Sequence, residues 1–291
     1  MKHYNDNLVK FLTAIFGIIG IIAIIASCKT DYSTIITHQY SSKTLAKWQS
    51  ERDSIYKINA KFAEQNPHGF TDIPRTIEKP EGVYRIAVLG DSWVWGDGIS
   101  YKNVWSHLLE DKICSKYDNI EVMSWGKCGW TTQDEYDFYR QEGYAYDIDL
   151  LIIGFVENDP HMGADAQPSK SQDWLDNLYS SKNLMAYKEL LKKLSTCKSQ
   201  HQTEIIFVIS PLCINKKTIR WKEKILYLLQ ETGLKYVDLY DDYQKQYREI
   251  PCETLFINPV NGHPGEELNR FIANHVFKYL KRNKHLKQKR Y

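Results

Sequence analysis

The chain has 291 residues, of which 43% are hydrophobic and 25% charged; that is enough apolar material for a full core and too much for a disordered polymer. The formal net charge of +2 is unevenly spread, with six basic residues and no acid between Lys281 and Arg290. The body upstream is mildly acidic, which excludes a basic nucleic-acid groove and leaves the tail as a solvated terminus or a contact for anionic lipid headgroups.

Lys2 and Lys10 precede or open an apolar run from Phe11 to Ser27, short for a bilayer span and slightly long for a signal-peptide core. Ile25-Ala26-Ser27-Cys28 resembles the bacterial lipobox. Residues 1–28 are therefore expected to be a lipoprotein signal with Cys28 as the lipidated residue, or else an uncleaved membrane anchor. Either would hold the rest of the chain at a membrane, outside the cytoplasm. The other cysteines, Cys114, Cys128, Cys197, Cys213 and Cys252, are odd in number, so a disulfide is possible but its connectivity is open. Cys213 beside a strand reads as a small buried residue. Residues 29–80 read as a spacer, with an amphipathic helix over 43–63 and breaks at Pro67, Pro74 and Pro80.

From Tyr84 a regular alternation begins. Strands are predicted at 85–89, 120–123, 148–153, 205–209 and 236–239, with helices over 103–117, 131–142, 183–198, 217–231 and 264–280. Strands that are apolar throughout and alternate with helices imply an α/β, three-layer α/β/α sandwich around a central, mostly parallel five-stranded sheet. The domain is expected to span 81–282, followed by a basic tail from 283 to 291. The polar segment from Phe155 to Ser181, which contains Trp174, is long for a connection and reads as a cover over the site or a plain insertion.

In such sheets ligands gather at the carboxyl ends of the strands. Gly90-Asp91-Ser92 ends the first strand and presents a hydroxyl there, a nucleophile once a base removes its proton. Ser124-Trp125-Gly126-Lys127-Cys128-Gly129 follows the second strand, where glycine lets backbone amides approach a substrate oxygen. Gly154-Phe155-Val156-Glu157-Asn158-Asp159 follows the third and brings a side-chain amide. Asn261-Gly262-His263-Pro264 precedes the last helix and delivers an imidazole. Each alone is a turn; together they place a nucleophile, oxyanion donors and a base on one rim. Trp93, Trp95, Trp125 and Trp130 fall beside these blocks and read as core packing or as a stacking platform for a sugar ring. His161 and Asp159 make no metal set, and the chain has neither zinc-site spacing nor a phosphate-cradling glycine loop; no cofactor or metal is expected.

The set Gly90-Asp91-Ser92, Gly129, Asn158 and His263 resembles the four blocks of the SGNH/GDSL hydrolases, a likeness that covers roughly 66–282. The resemblance implies a flavodoxin-like fold, Ser92 as nucleophile, His263 as base, and an oxyanion hole from the Ser92 and Gly129 amides with the Asn158 side chain. It implies a monomeric serine esterase acting on O-acyl, most plausibly acetyl, esters of an extracytoplasmic glycan. An O-acyltransferase of surface polysaccharide and a catalytically silent glycan-binding or assembly protein are the alternatives. One departure stands out: the family carries an aspartate two or three residues before the histidine, and here those positions hold Asn261 and Val260. The resemblance thus leaves three outcomes: a Ser–His dyad with Asn261 orienting the ring, an acid from elsewhere (Asp159, Asp241 or Asp242), or a dead site. A fourth is deamidation of Asn261-Gly262 to aspartate.

Overall fold

The computed structural model describes residues 40–162, 176–211 and 216–286. Cys28 and the apolar run before it, Trp174, Cys213 and the end of the basic tail fall outside the described residues.

The first element is helix α1 (Ser42–Ala63), opened by the Ser41 hydroxyl, which accepts the Thr44 N–H. Arg52, Tyr56, Asn59 and Ala63 recur at helical spacing and share a face, and that face packs on the domain. Asn59 is fully buried: its amide donates to the Gly96 and Ile99 carbonyls at 2.8 Å each and accepts the Tyr101 N–H at 3.1 Å. Tyr56 lies on Trp95 and Phe62 stacks on Tyr101. From residue 40 onward, then, the segment read as a spacer is part of the domain. Residues 66–80 are fastened too. The buried Arg85 guanidinium donates to the Thr76, Ile77 and Glu78 carbonyls, and Asp72 accepts the Ser124 N–H at 2.8 Å. A polar composition suggested solvent; in fact Asp72 and Asn66 are buried with hydrogen-bond partners, which is what allows them inside.

The central sheet comprises β1 (Tyr84–Gly90), β2 (Ile120–Gly126), β3 (Leu150–Phe155), β4 (Glu204–Ile209) and β5 (Lys235–Asp238) in the order β2-β1-β3-β4-β5, every pair parallel. Alternate side chains feed two cores. Ile86, Val88, Ile152 and Val208 meet α3 (Trp105–Cys114), α7 (Tyr240–Tyr247) and α8 (Glu266–Arg282). Ala87, Leu89, Ile153 and Phe207 meet α4 (Thr132–Gln141), α5 (Ser181–His201) and α6 (Lys216–Glu231). Burial on both faces is why the strands read as unbroken apolar runs. This is the expected three-layer sandwich. Because β1 lies between β2 and β3, the chain leaves β1 in one direction and returns on its other side, opening a crevice at the carboxyl ends of these strands.

Two differences from the sequence reading matter for the site. The stretch before the last helix is a hairpin, β6 (Phe256–Asn258) antiparallel to β7 (Asn261–Pro264), so α8 starts at Glu266 rather than 264. The third strand runs two residues later than expected, to Phe155.

Asn59→Ala is expected to lower stability by about 2–4 kcal/mol, because it strands two buried carbonyls and an N–H. Urea unfolding measures this; a loss below about 0.5 kcal/mol would mean that α1 is not integral to the folded unit.

Candidate active site

Ser92 opens a one-turn helix, α2 (Ser92–Trp95), directly after β1, with the Asp91 carboxylate accepting the Trp93 N–H. This turn sits hard on the end of β2. A Cβ at Gly126 would come within 2.4 Å of the Trp95 nitrogen and the Val94 carbonyl carbon, so only glycine admits the helix there. The next loop is a turn in which the Trp130 N–H donates to the Lys127 carbonyl. Its third residue, Gly129, has φ 81, a left-handed conformation that glycine takes without strain, and the space beside it is open. The Lys127 N–H donates to the Gly90 carbonyl, tying this loop to the nucleophile's strand. Asn158 follows β3 and is half-buried; its carbonyl accepts the His161 N–H at 3.1 Å.

His263 arrives on β7. The hairpin is held by Gly265, whose N–H donates to the Leu255 carbonyl, and by buried Asn269, which donates to the Pro264 carbonyl and accepts the Trp105 N–H. From there the ring reaches the nucleophile: His263 Nε2 lies 2.8 Å from Ser92 Oγ. Its Nδ1 lies 2.5 Å from Asn261 Oδ1, which also accepts the His263 backbone N–H at 3.0 Å. The second bond has a consequence. A backbone N–H requires an acceptor, so the Asn261 amide cannot flip; its oxygen faces Nδ1, Nδ1 carries the proton, and the Nε2 lone pair is left toward Ser92. Asparagine therefore sets the tautomer here. It brings no charge.

Burial lowers the His263 pKa, with Asp97 opposing that shift and Arg52 adding to it, so the ring is a neutral base at pH 7. Neither residue stood out in the sequence. Asp97 Oδ2 is 3.7 Å from His263 Nε2, and the Arg52 guanidinium on α1 grips Asp97 with two bonds of 2.8 and 2.5 Å. The acids suggested by sequence are elsewhere. Asp159 is buried against Thr132 and the Val156 N–H, Asp242 faces His275 at 3.9 Å, and Asp241 is exposed. Asp97 went unnoticed because it falls in a glycine-flanked turn with no motif of its own; its partner is 45 residues away on a helix read as spacer.

The aromatic platform is largely corrected. Trp93, Trp95 and Trp125 are at most 7% exposed and serve the cores; only Trp130 is half-open, against Phe138 with Lys127 above its ring. The Cys128 thiol beside Gly129 is pushed up to about 12 by desolvation and by the Asp97 and Asp91 carboxylates, so it stays protonated. Among the described residues, Asp72, His107 and Glu110 are close enough to share a cation. Arg75 already bonds Glu110 at 2.5 Å, and the His107 ring already bonds the Thr71 carbonyl. The group reads as a lock on the 70–75 segment.

No family model matches the sequence, and no curated protein does either. Solved structures do. LAE5, an alpha/beta hydrolase enzyme from the metagenome of Lake Arreo, Spain, is 12% identical with a TM-score of 0.51, covering 70% of this chain and 97% of its own. Axe2, an acetylxylan esterase from Geobacillus stearothermophilus, is 15% identical with a TM-score of 0.51, covering 69% and 95%. At such identities the likeness is one of fold, and it is the α/β/α fold implied by the SGNH/GDSL resemblance.

Beneath Ser92 lies a group of carboxyls with, among the described residues, no cation beside them. Glu135 is fully buried and neither of its oxygens has a hydrogen-bond partner. Burial and the Asp159 and Asp91 charges raise its pKa well above the usual carboxylate range. Burial likewise raises Asp159, and Asp91 to about 7. A group whose folded-state pKa is raised contributes stability that is complete below its unfolded pKa and is lost as pH climbs toward the folded value. Stability is therefore expected to fall from about pH 4 toward pH 7. Glu135→Gln should match wild type near pH 4 and exceed it in Tm at pH 8; calorimetry showing an equal deficit at both would contradict this.

Proposed function

We propose that the protein is a serine esterase that hydrolyses O-acyl esters, with acetyl groups on a glycan outside the cytoplasm as the substrate class. The observation that carries the reading is the 2.8 Å contact between Ser92 Oγ and His263 Nε2, with the ring's other nitrogen held by Asn261. A nucleophile, a base and an orienting acceptor in line are the recognised constellation for acyl transfer, identified by geometry rather than by sequence position. Acetyl esters of glycans are favoured because Axe2, of like fold, is an acetylxylan esterase. A location outside the cytoplasm is supported by the lipobox-like Ile25-Ala26-Ser27-Cys28, with Cys28 as lipid anchor, and by Cys252, which is disulfide-bonded, a bond that persists in oxidising compartments.

In this reading Ser92 Oγ bonds to the ester carbonyl carbon as its proton passes to His263 Nε2. The carbonyl oxygen takes the negative charge and is met by the Ser92 and Gly129 N–H groups and the Asn158 amide. Nε2 then returns the proton to the alkoxide oxygen as the C–O bond breaks, releasing the alcohol and leaving an acyl-Ser92. Water repeats the sequence: its proton goes to Nε2, its oxygen to the acyl carbon, and Ser92 regains its hydroxyl as the acid leaves.

Ser92→Ala is expected to cut kcat/KM for 4-nitrophenyl acetate by roughly a thousandfold or more; full retention of the wild-type rate would overturn the assignment. Acetyl transfer to an added sugar alcohol that outruns acetate release would convert the reading to an acyltransferase. The pH profile supplies a second check. The base works only when neutral and its pKa is lowered, so kcat/KM should fall on the acid side with a midpoint below the ordinary histidine value of about 6.5. A midpoint above that value would contradict the burial of His263.

A further inference from the structure

Among the described residues Asp97 is the one carboxylate beside the reacting imidazole, and its position differs from that of a partner on Nδ1. At 3.7 Å from Nε2 it is too far to compete with Ser92 for a hydrogen bond, yet near enough for its charge to favour the protonated ring. Its side chain is 6% exposed, so water screens the charge little. Arg52 holds both oxygens, and Asn59, two turns further along α1, ties the same helix to the carbonyls of Gly96 and Ile99 on either side of Asp97. The loop that carries the carboxylate is thus set by α1 from two points.

We infer that Asp97, clamped by Arg52, is a positioning residue acting through His263 that supplies the imidazolium with the negative charge Asn261 lacks, and that α1 is for this reason part of the active site. The inference rests on the Ser92–His263 reading. When Ser92 Oγ bonds to the acyl carbon and its proton reaches Nε2, the new positive charge lies beside Asp97. Asp97 takes no proton; Nε2 keeps it until the leaving oxygen accepts it. The clamp has its own task. With its oxygens turned to the guanidinium, Asp97 cannot close on Nε2–H and hold back the proton that the leaving group needs. Among the described residues, the charged groups facing the ring are Asp97 from the loop after α2 and Arg52 from α1. Asn261 and Ser92 are neutral, and Cys128 beyond Asp97 remains a thiol.

The test is a titration of the His263 ring by nuclear magnetic resonance in the full chain, alongside ester kinetics. Asp97→Asn should move the midpoint down by roughly 1 pH unit and lower kcat/KM at least about tenfold. Arg52→Gln should move it up, since a positive charge is lost and Asp97 is freed to meet the imidazolium, and should also lower the rate. Adding Asn261→Asp to Asp97→Asn should restore most of the rate, because a carboxylate then reaches Nδ1. A midpoint unmoved by Asp97→Asn, or moved the same way by both single changes, would overturn the inference. If wild type cleaves no ester while the midpoints move as stated, the esterase reading fails and the Asp97–His263 coupling stands; Ser92-dependent hydrolysis with unmoved midpoints gives the reverse.

Discussion

The whole arrangement depends on holding one imidazole ring between an alcohol and an amide oxygen. A free histidine rotates and exchanges tautomers; here a four-residue strand fixes its backbone, and Asn261 accepts both its backbone N–H and its Nδ1–H. The other nitrogen then has only one direction to face, toward Ser92. Much of the nearby structure serves this single alignment. Asn269 and Gly265 seat the hairpin against α3 and α8, and Gly126 lets the Ser92 turn settle on the sheet. The crevice between β2, β1 and β3 provides the room.

Electrostatics at the site follow a division of labour. Beneath Ser92 burial raises the pKa of the Glu135, Asp159 and Asp91 carboxyls, and among the described residues no cation offsets it. The acid beside the ring, Asp97, is buried as well but has a cationic partner in Arg52. A charge pair of this kind is near neutral overall, yet its two ends lie at unequal distances from the ring, and the nearer end is negative. Net charge would miss this. Distance decides it.

The sheet and its order of helices were legible in the sequence because strands buried on both faces leave an unmistakable apolar run, and each run ended at the glycine or turn that opens the next loop. Ser92 and His263 were legible for a like reason: one follows a strand and the other precedes a helix whose period can be read. What escaped was set by contacts between distant segments. A helix rich in charge, such as α1, reads as spacer until Asn59 is seen to be buried and Arg52 paired with Asp97. The four tryptophans read as core packing or as a platform because residue type does not reveal which way a side chain points; a one-turn helix turned Trp93 and Trp95 inward. The β6–β7 hairpin was hidden since strands of three and four residues carry no period, and the role of Asn261 stayed open among its alternatives until the backbone N–H of His263 fixed its orientation.

The most direct measurement is covalent capture with an alkyl fluorophosphonate, followed by peptide mass mapping of the wild type and His263→Ala. Attack on phosphorus requires an alcohol activated by a neighbouring base. The account expects one adduct, on the peptide carrying Ser92, that forms quickly in wild type and is lost or slowed by orders of magnitude without the imidazole. An unlabelled Ser92 in the folded wild-type protein, or labelling that proceeds equally well in His263→Ala, would contradict it.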